Sequence, residues 1–176
     1  MDNSSLSEDQ ISALKRYRRL WVARNDLAEV NEAINQILNA HLRKPRAGER
    51  NPFLVVLTSA LVISYGRPFV NTRGQATTAE RVIPGTILRV LTKSERQLHE
   101  KLIDMRNHEV AHSDVEFLEL ELTFLPGGDI GISRLPRDPL YRSELYKLQR
   151  IIFKLDNEID KVCSEFRKIL PLGVPL

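Results

Sequence analysis

Asn51-Pro52-Phe53-Leu54-Val55-Val56-Leu57-Thr58-Ser59-Ala60-Leu61-Val62-Ile63-Ser64-Tyr65 is the stretch whose conformation settles the fold class. Its β-branched residues suit a strand, which would make the chain mixed α/β. Its length favours a helix that is apolar all round and therefore buried. The preceding residues agree, because Asn51 can cap a helix and Pro52 fits the first helical position. Gly66-Arg67-Pro68-Phe69 then stops it. The same run is too short to span a bilayer and carries Thr58, Ser59 and Ser64, so no membrane partner is expected.

Upstream, a long helix is predicted from about Ser7 to Arg43. Ser7 and Gln10 form a capping box, and Leu14, Tyr17, Trp21, Leu27, Ile34, Ile37 and Leu38 recur at helical spacing. Lys44-Pro45 and Gly48 end it. At about 1.5 Å per residue this helix is roughly 50 Å long and needs an equally long partner. The last segment supplies one. From about Pro139 or Leu140 to Leu170, Leu145, Leu148, Ile152, Leu155, Ile159, Val162, Phe166 and Ile169 alternate spacings of three and four, a coiled-coil-like seam.

Between these lie three further segments. Residues 70–86 contain Gly74, Pro84 and Gly85 and read as a mobile loop placed to cover a substrate or partner. Thr92-Lys93-Ser94-Glu95 is a capping box, opening a helix or restarting one after a Thr86–Leu91 turn, and that helix should end near His112 or Ser113. Residues 117–133 read as an inserted β-hairpin. Leu118, Leu120, Leu122 and Phe124 alternate with Glu119, Glu121 and Thr123, Pro126-Gly127-Gly128-Asp129 turns, and Ile130–Ser133 returns. The expected fold is all-α: one domain over residues 1–176, a bundle of long helices with one hairpin before the last helix.

The formal net charge of +3 permits a polyanionic partner without demanding one. Cys163 is the only cysteine, which excludes an intrachain disulfide and argues against a cysteine zinc site. Met1-Asp2-Asn3-Ser4-Ser5 has no basic region leading into an apolar core, so no secretory signal is expected and the chain is read as cytoplasmic. No bound organic cofactor is indicated.

The chemistry concentrates in Arg106-Asn107-His108-Glu109-Val110-Ala111-His112-Ser113-Asp114, which holds two of the four histidines. Projected on a regular helix from Leu91 to Ser113, the residues Leu91, Leu98, Leu102, Ile103, Met105 and Val110 make an apolar arc. Glu95, His99, Arg106 and Ser113 fall near its middle, and Glu109 lies inside it. Charges on a buried face must be paired. Either Glu95 or Glu109 pairs with Arg106 in a structural network, or the seam lines a wet cleft. His108-Glu109-x-x-His112 also has the spacing of a zinc-protease helix. Against that reading, His108 faces outward, no sheet precedes the helix, and no third ligand follows His112, so no metal is expected.

Leu98-His99-Glu100 leading to Arg106-Asn107-x-x-x-Ala111-His112-Ser113-Asp114 resembles the signature of HEPN domains. In that family an arginine, often followed by a polar residue, precedes a histidine by a short, variable spacer. Ser64-Tyr65-Gly66-Arg67-Pro68-Phe69 resembles a segment found upstream in abortive-infection-like members. The likeness follows helix order along the whole chain but rests on few identities. It implies an all-helical fold, often a homodimer with two motifs facing across the interface, and in many members metal-independent RNA cleavage. A member lacking that activity would be a nucleotide- or protein-binding module. In toxin–antitoxin or phage-defence systems an antitoxin protein would be a further partner.

The resemblance implies that Arg106 and His112 are catalytic. The chemistry fits, since an imidazole can move the proton of the 2′-hydroxyl and a guanidinium can hold the phosphate. Asn107, His99, His108 and Asp114 are supporting candidates, with Asp114 capping the helix end and Arg67 a candidate RNA contact. Many toxin members carry a tyrosine shortly after the histidine as a modification site. Here Asp114-Val115-Glu116-Phe117 stands instead, so that regulation is not expected.

Overall fold

The computed structural model describes residues 6–42, 51–70, 80, 82–110, 120–124, 130–134 and 140–171, with backbone alone for 108–110 and the two strands. Four long helices carry the fold: α1 (Glu8–Asn39), α2 (Pro52–Gly66), α3 (Lys93–Asp104) and α4 (Arg142–Ile169). The chain is mostly helical, and no helix among the described residues is long and apolar enough to cross a membrane.

The starts of three helices follow from side-chain capping. Ser7 Oγ accepts from the Gln10 amide while Gln10 Oε1 accepts from the Ser7 amide. Asn51 Oδ1 accepts from the Leu54 amide, with Pro52 at the first turn of α2. Thr92 and Glu95 cap α3 in the same reciprocal way. The apolar stretch that could have been a strand is therefore a helix, with Leu54, Leu61, Val62 and Tyr65 buried. At its other end α1 stops earlier than Lys44-Pro45 would dictate. Asn39 is its last residue, and His41 adopts a left-handed backbone with φ of 50°.

α1 and α4 run antiparallel along their length. Gln10 reaches the Ile169 carbonyl, Arg167 donates to the Tyr17 hydroxyl, Arg24 binds Asp156, and Gln149 donates to Asn35. Leu20, Val30 and Ile34 from α1 join Leu148, Ile151, Leu155 and Ile159 from α4 in the core. The α4 seam bends relative to its predicted line. Ile151 and Cys163 are buried, Val162 and Phe166 are partly buried, and Ile169 is exposed. This seam is thus covered by α1 within one chain.

α2 packs beside α1, and α3 bridges α2 and α4. Before α3 the chain makes a 3-10 turn, Gly85–Val90, that buries Ile87. Most of the stretch expected to be a mobile loop, residues 70–86, lies outside the described residues; its last two belong to this turn. Leu120–Phe124 (β1) and Ile130–Arg134 (β2) pair antiparallel, with Leu120 opposite Arg134 and Phe124 opposite Ile130. The packing of that pair rests on side chains outside the description.

Candidate site around Arg106 and the end of α2

The α-helical winding of α3 stops at Asp104 and passes into a π-helical turn, Met105–Val110. The wider turn changes the direction of every side chain after Asp104, so the regular projection across Leu91–Ser113 fails there. Such turns are rare and recur at functional sites. Arg106 and Asn107 lie on this turn and are half-buried. Nη1 of Arg106 donates to Asn107 Oδ1 at 3.0 Å. Among the described residues no carboxylate pairs with Arg106.

The stem of Arg106 lies across the last residue of α2. A Cβ on Gly66 would stand 2.8 Å from Arg106 Cγ and 3.2 Å from Cδ, closer than real side chains approach. Only glycine allows this crossing. In the sequence, Gly66 reads simply as a helix terminator, and no local pattern reveals that it seats an arginine forty residues on.

His99, a supporting candidate, is buried rather than lining a wet cleft. Its Nδ1 is hydrogen-bonded to the Tyr65 hydroxyl at 2.9 Å. Its ring meets Phe69 edge-on at 4.7 Å and Tyr65 at 5.7 Å. Burial, with the charge of Arg96 adding to it, pushes the imidazole down to about 4, so it stays neutral at pH 7. Burial also raises the Tyr65 phenol above its ordinary range. Tyr65 and His99 together fix the end of α2 against α3, directly behind Gly66.

Arg67, the candidate RNA contact, is engaged with α1. Its Nη1 reaches Glu29 Oε2 at 2.9 Å and Asp26 Oδ1 at 3.3 Å, while its carbonyl accepts from Arg19 Nη2. Ser64 Oγ also donates to Glu29. Two carboxylates within reach hold this guanidinium against the protein, a pairing the sequence did not suggest. Burial raises the Asp26 carboxyl above its usual range, and Asp26 Oδ2 and Arg19 Nε have no hydrogen-bond partner among the described residues.

Glu95 belongs to a different network. Both its oxygens accept from Lys154 Nζ, at 2.9 and 2.8 Å, and Oε2 also accepts from the Thr92 amide and hydroxyl. Burial opposes its charge, but Lys154 and Thr92 outweigh burial and hold the carboxyl down to about 2. Of the two alternatives for Arg106, the Glu95 pair is therefore not formed, while the Glu109 side chain lies outside the described residues; Lys154, from α4, is the partner that Glu95 takes instead.

His112, Ser113 and Asp114 lie outside the described residues, as do the side chains of His108 and Glu109. The described residues gather Arg106 and Asn107 at Gly66, with His99 buried behind and Arg67 tied to α1. They contain no group of three or more side chains able to hold a metal ion. No protein-family model, curated protein or solved structure matches the chain significantly.

Proposed function

We propose that the chain is a HEPN-like, metal-independent endoribonuclease of the toxin or phage-defence type, acting at a site built on Arg106 and His112. The observation that carries this reading is the state of Arg106. Its stem is held by Gly66, its guanidinium is steadied by Asn107, and no described carboxylate neutralises it. A structural arginine on a helix bundle normally ends on an acid, as Arg24 and Arg67 do here. Among the described residues nothing takes up its remaining donors, which suits an external anion.

In this reading His112 removes the proton of a ribose 2′-hydroxyl, and that oxygen attacks the adjacent phosphorus. Charge gathers on the non-bridging oxygens, where Arg106 donates. The 5′-oxygen leaves with a proton returned by an acid, for which a second His112 across a homodimer is the candidate. The products are a 2′,3′-cyclic phosphate and a free 5′-hydroxyl. The bundle, with its hairpin as an insertion, would then be the HEPN arrangement, and an antitoxin protein a natural partner.

The test is cleavage of total RNA in the presence of EDTA. Activity should vanish in Arg106→Ala and in His112→Ala, by about a hundredfold or more. Undiminished cleavage in both variants would sink the assignment. The second reading, a non-catalytic nucleotide- or protein-binding module of the same type, draws on the burial of His99, which leaves this face with fewer ionisable groups than a nuclease could use. A wild-type chain that binds RNA and cleaves none would favour it.

A further inference from the structure

α4 is electrically two different helices. In its C-terminal half every acid has a cation. Asp156 and Asp160 bind Arg24, Glu158 binds Lys161, and Glu165 binds Lys168. From Arg142 to Lys154 the balance differs. The one carboxylate there, Glu144, is taken by Lys101 at 2.8 Å, and Lys154 is taken by Glu95. Arg142, Lys147 and Arg150 have no acidic partner among the described residues.

The same stretch exposes two aromatic rings. Phe153 is 68% and Tyr146 48% accessible, although Leu145, Leu148, Ile151 and Ile152 between and beside them are buried. Arg142, Tyr146, Arg150 and Phe153 follow spacings of four, four and three, which places them on one face. Arg142 lies 5.7 Å from the Tyr146 ring centroid and donates to its hydroxyl at 3.2 Å, so this ring is already propped in place. Tyr146 and Phe153 are separated by about 10 Å along the helix axis, with Arg150 between them.

Cations without acids reject acidic ligands least, and an exposed phenyl ring gains most from a flat partner. A single-stranded polynucleotide offers both chemistries, phosphates for the cations and base faces for the rings. A bilayer surface would match the cations but would not favour two rings spaced along one ridge. A duplex would hide its base faces.

We propose that the N-terminal half of α4 is a binding track for single-stranded RNA, with Phe153 and Tyr146 stacking bases and Arg142 and Arg150 contacting phosphates. The choice of RNA over DNA rests on the nuclease reading; the track itself shares no residue with Arg106 or His112.

The test uses the full chain and a fluorescein-labelled oligouridylate of about 12 nucleotides, followed by anisotropy. Phe153→Ala should weaken binding by about fivefold or more, and Phe153→Trp should restore it. The double variant Arg142→Glu/Arg150→Glu should weaken it by about tenfold or more, with a salt dependence shallower by about one to two. All these positions are on the surface, so the variants should melt with the wild type. Wild-type affinity in both Phe153→Ala and the charge-reversed variant overturns the track. So does equal competition by duplex RNA of the same length, or binding to phosphatidylserine vesicles with none to oligonucleotide; equal competition by single-stranded DNA overturns only the choice of RNA. The two readings fail separately. Loss of cleavage in His112→Ala with intact binding leaves the track standing, and absence of cleavage in the wild type with ring-dependent binding removes only the nuclease.

Discussion

At position 66 the missing β-carbon faces the stem of Arg106, and that one hydrogen governs where a guanidinium sits. Glycine inside a helix normally costs about 0.5–1 kcal/mol against alanine, so Gly66→Ala would ordinarily stabilise α2. Here the added methyl would meet Arg106 Cγ at 2.8 Å, near the root of the side chain where it cannot swing aside cheaply. We expect Gly66→Ala to destabilise by about 1–3 kcal/mol, the usual cost of overpacking, and to lower RNA cleavage more than its effect on Tm explains. In an Arg106→Ala background, which removes the Cγ and Cδ contacts and leaves only the Cβ at 3.3 Å, Gly66→Ala should cost clearly less than in the wild type. Urea unfolding of the four combinations checks the sign. Additive destabilisation would mean that the two side chains do not collide.

At the scale of elements, α3 joins two buried ionisable groups whose acid responses are staggered. His99 is held at about 4 against its ordinary 6.5. The unfolded chain therefore takes up a proton first as pH falls, and stability is lost between roughly 6.5 and 4, by about 3 kcal/mol at most. Glu95 is held at about 2 against 4.5, so the stability it contributes is present above pH 4.5 and is lost as pH falls toward 2. Asp26, raised by burial, works in the opposite sense and slightly offsets the second phase. Unfolding free energy measured against pH should decline in two phases. His99→Gln should flatten the upper phase and Glu95→Gln the lower. A single decline below pH 4 would contradict the burial of His99.

What could be read beforehand at this scale followed from local chemistry. Caps at Ser7, Asn51 and Thr92 place helix starts because a side chain and an amide three residues away decide them. The length of Phe53–Tyr65 gives a helix despite its β-branched residues. The end of α1 was misplaced because His41 leaves the helix through a left-handed backbone with no glycine or proline to announce it. The π-helical turn was invisible because residue types do not encode five-residue hydrogen bonding, and it undid the projection for Arg106. Partners across elements, Lys154 for Glu95, Tyr65 for His99, and Asp26 with Glu29 for Arg67, depend on packing that no single segment contains.

For the whole molecule, the long seams of α1 and α4 satisfy one another, which follows from two apolar stripes of similar length in one chain. A buried Cys163 sits in that joint, 1% accessible, and burial raises its thiol above the ordinary range. Being the chain's only sulfhydryl, it makes the molecule its own stopwatch. A thiol-reactive probe can mark the protein only when α1 and α4 part, so adduct formation by mass spectrometry should lag a free cysteine by on the order of a hundredfold or more. Prompt modification under native conditions would mean that the long joint breathes open far more often than its packing implies.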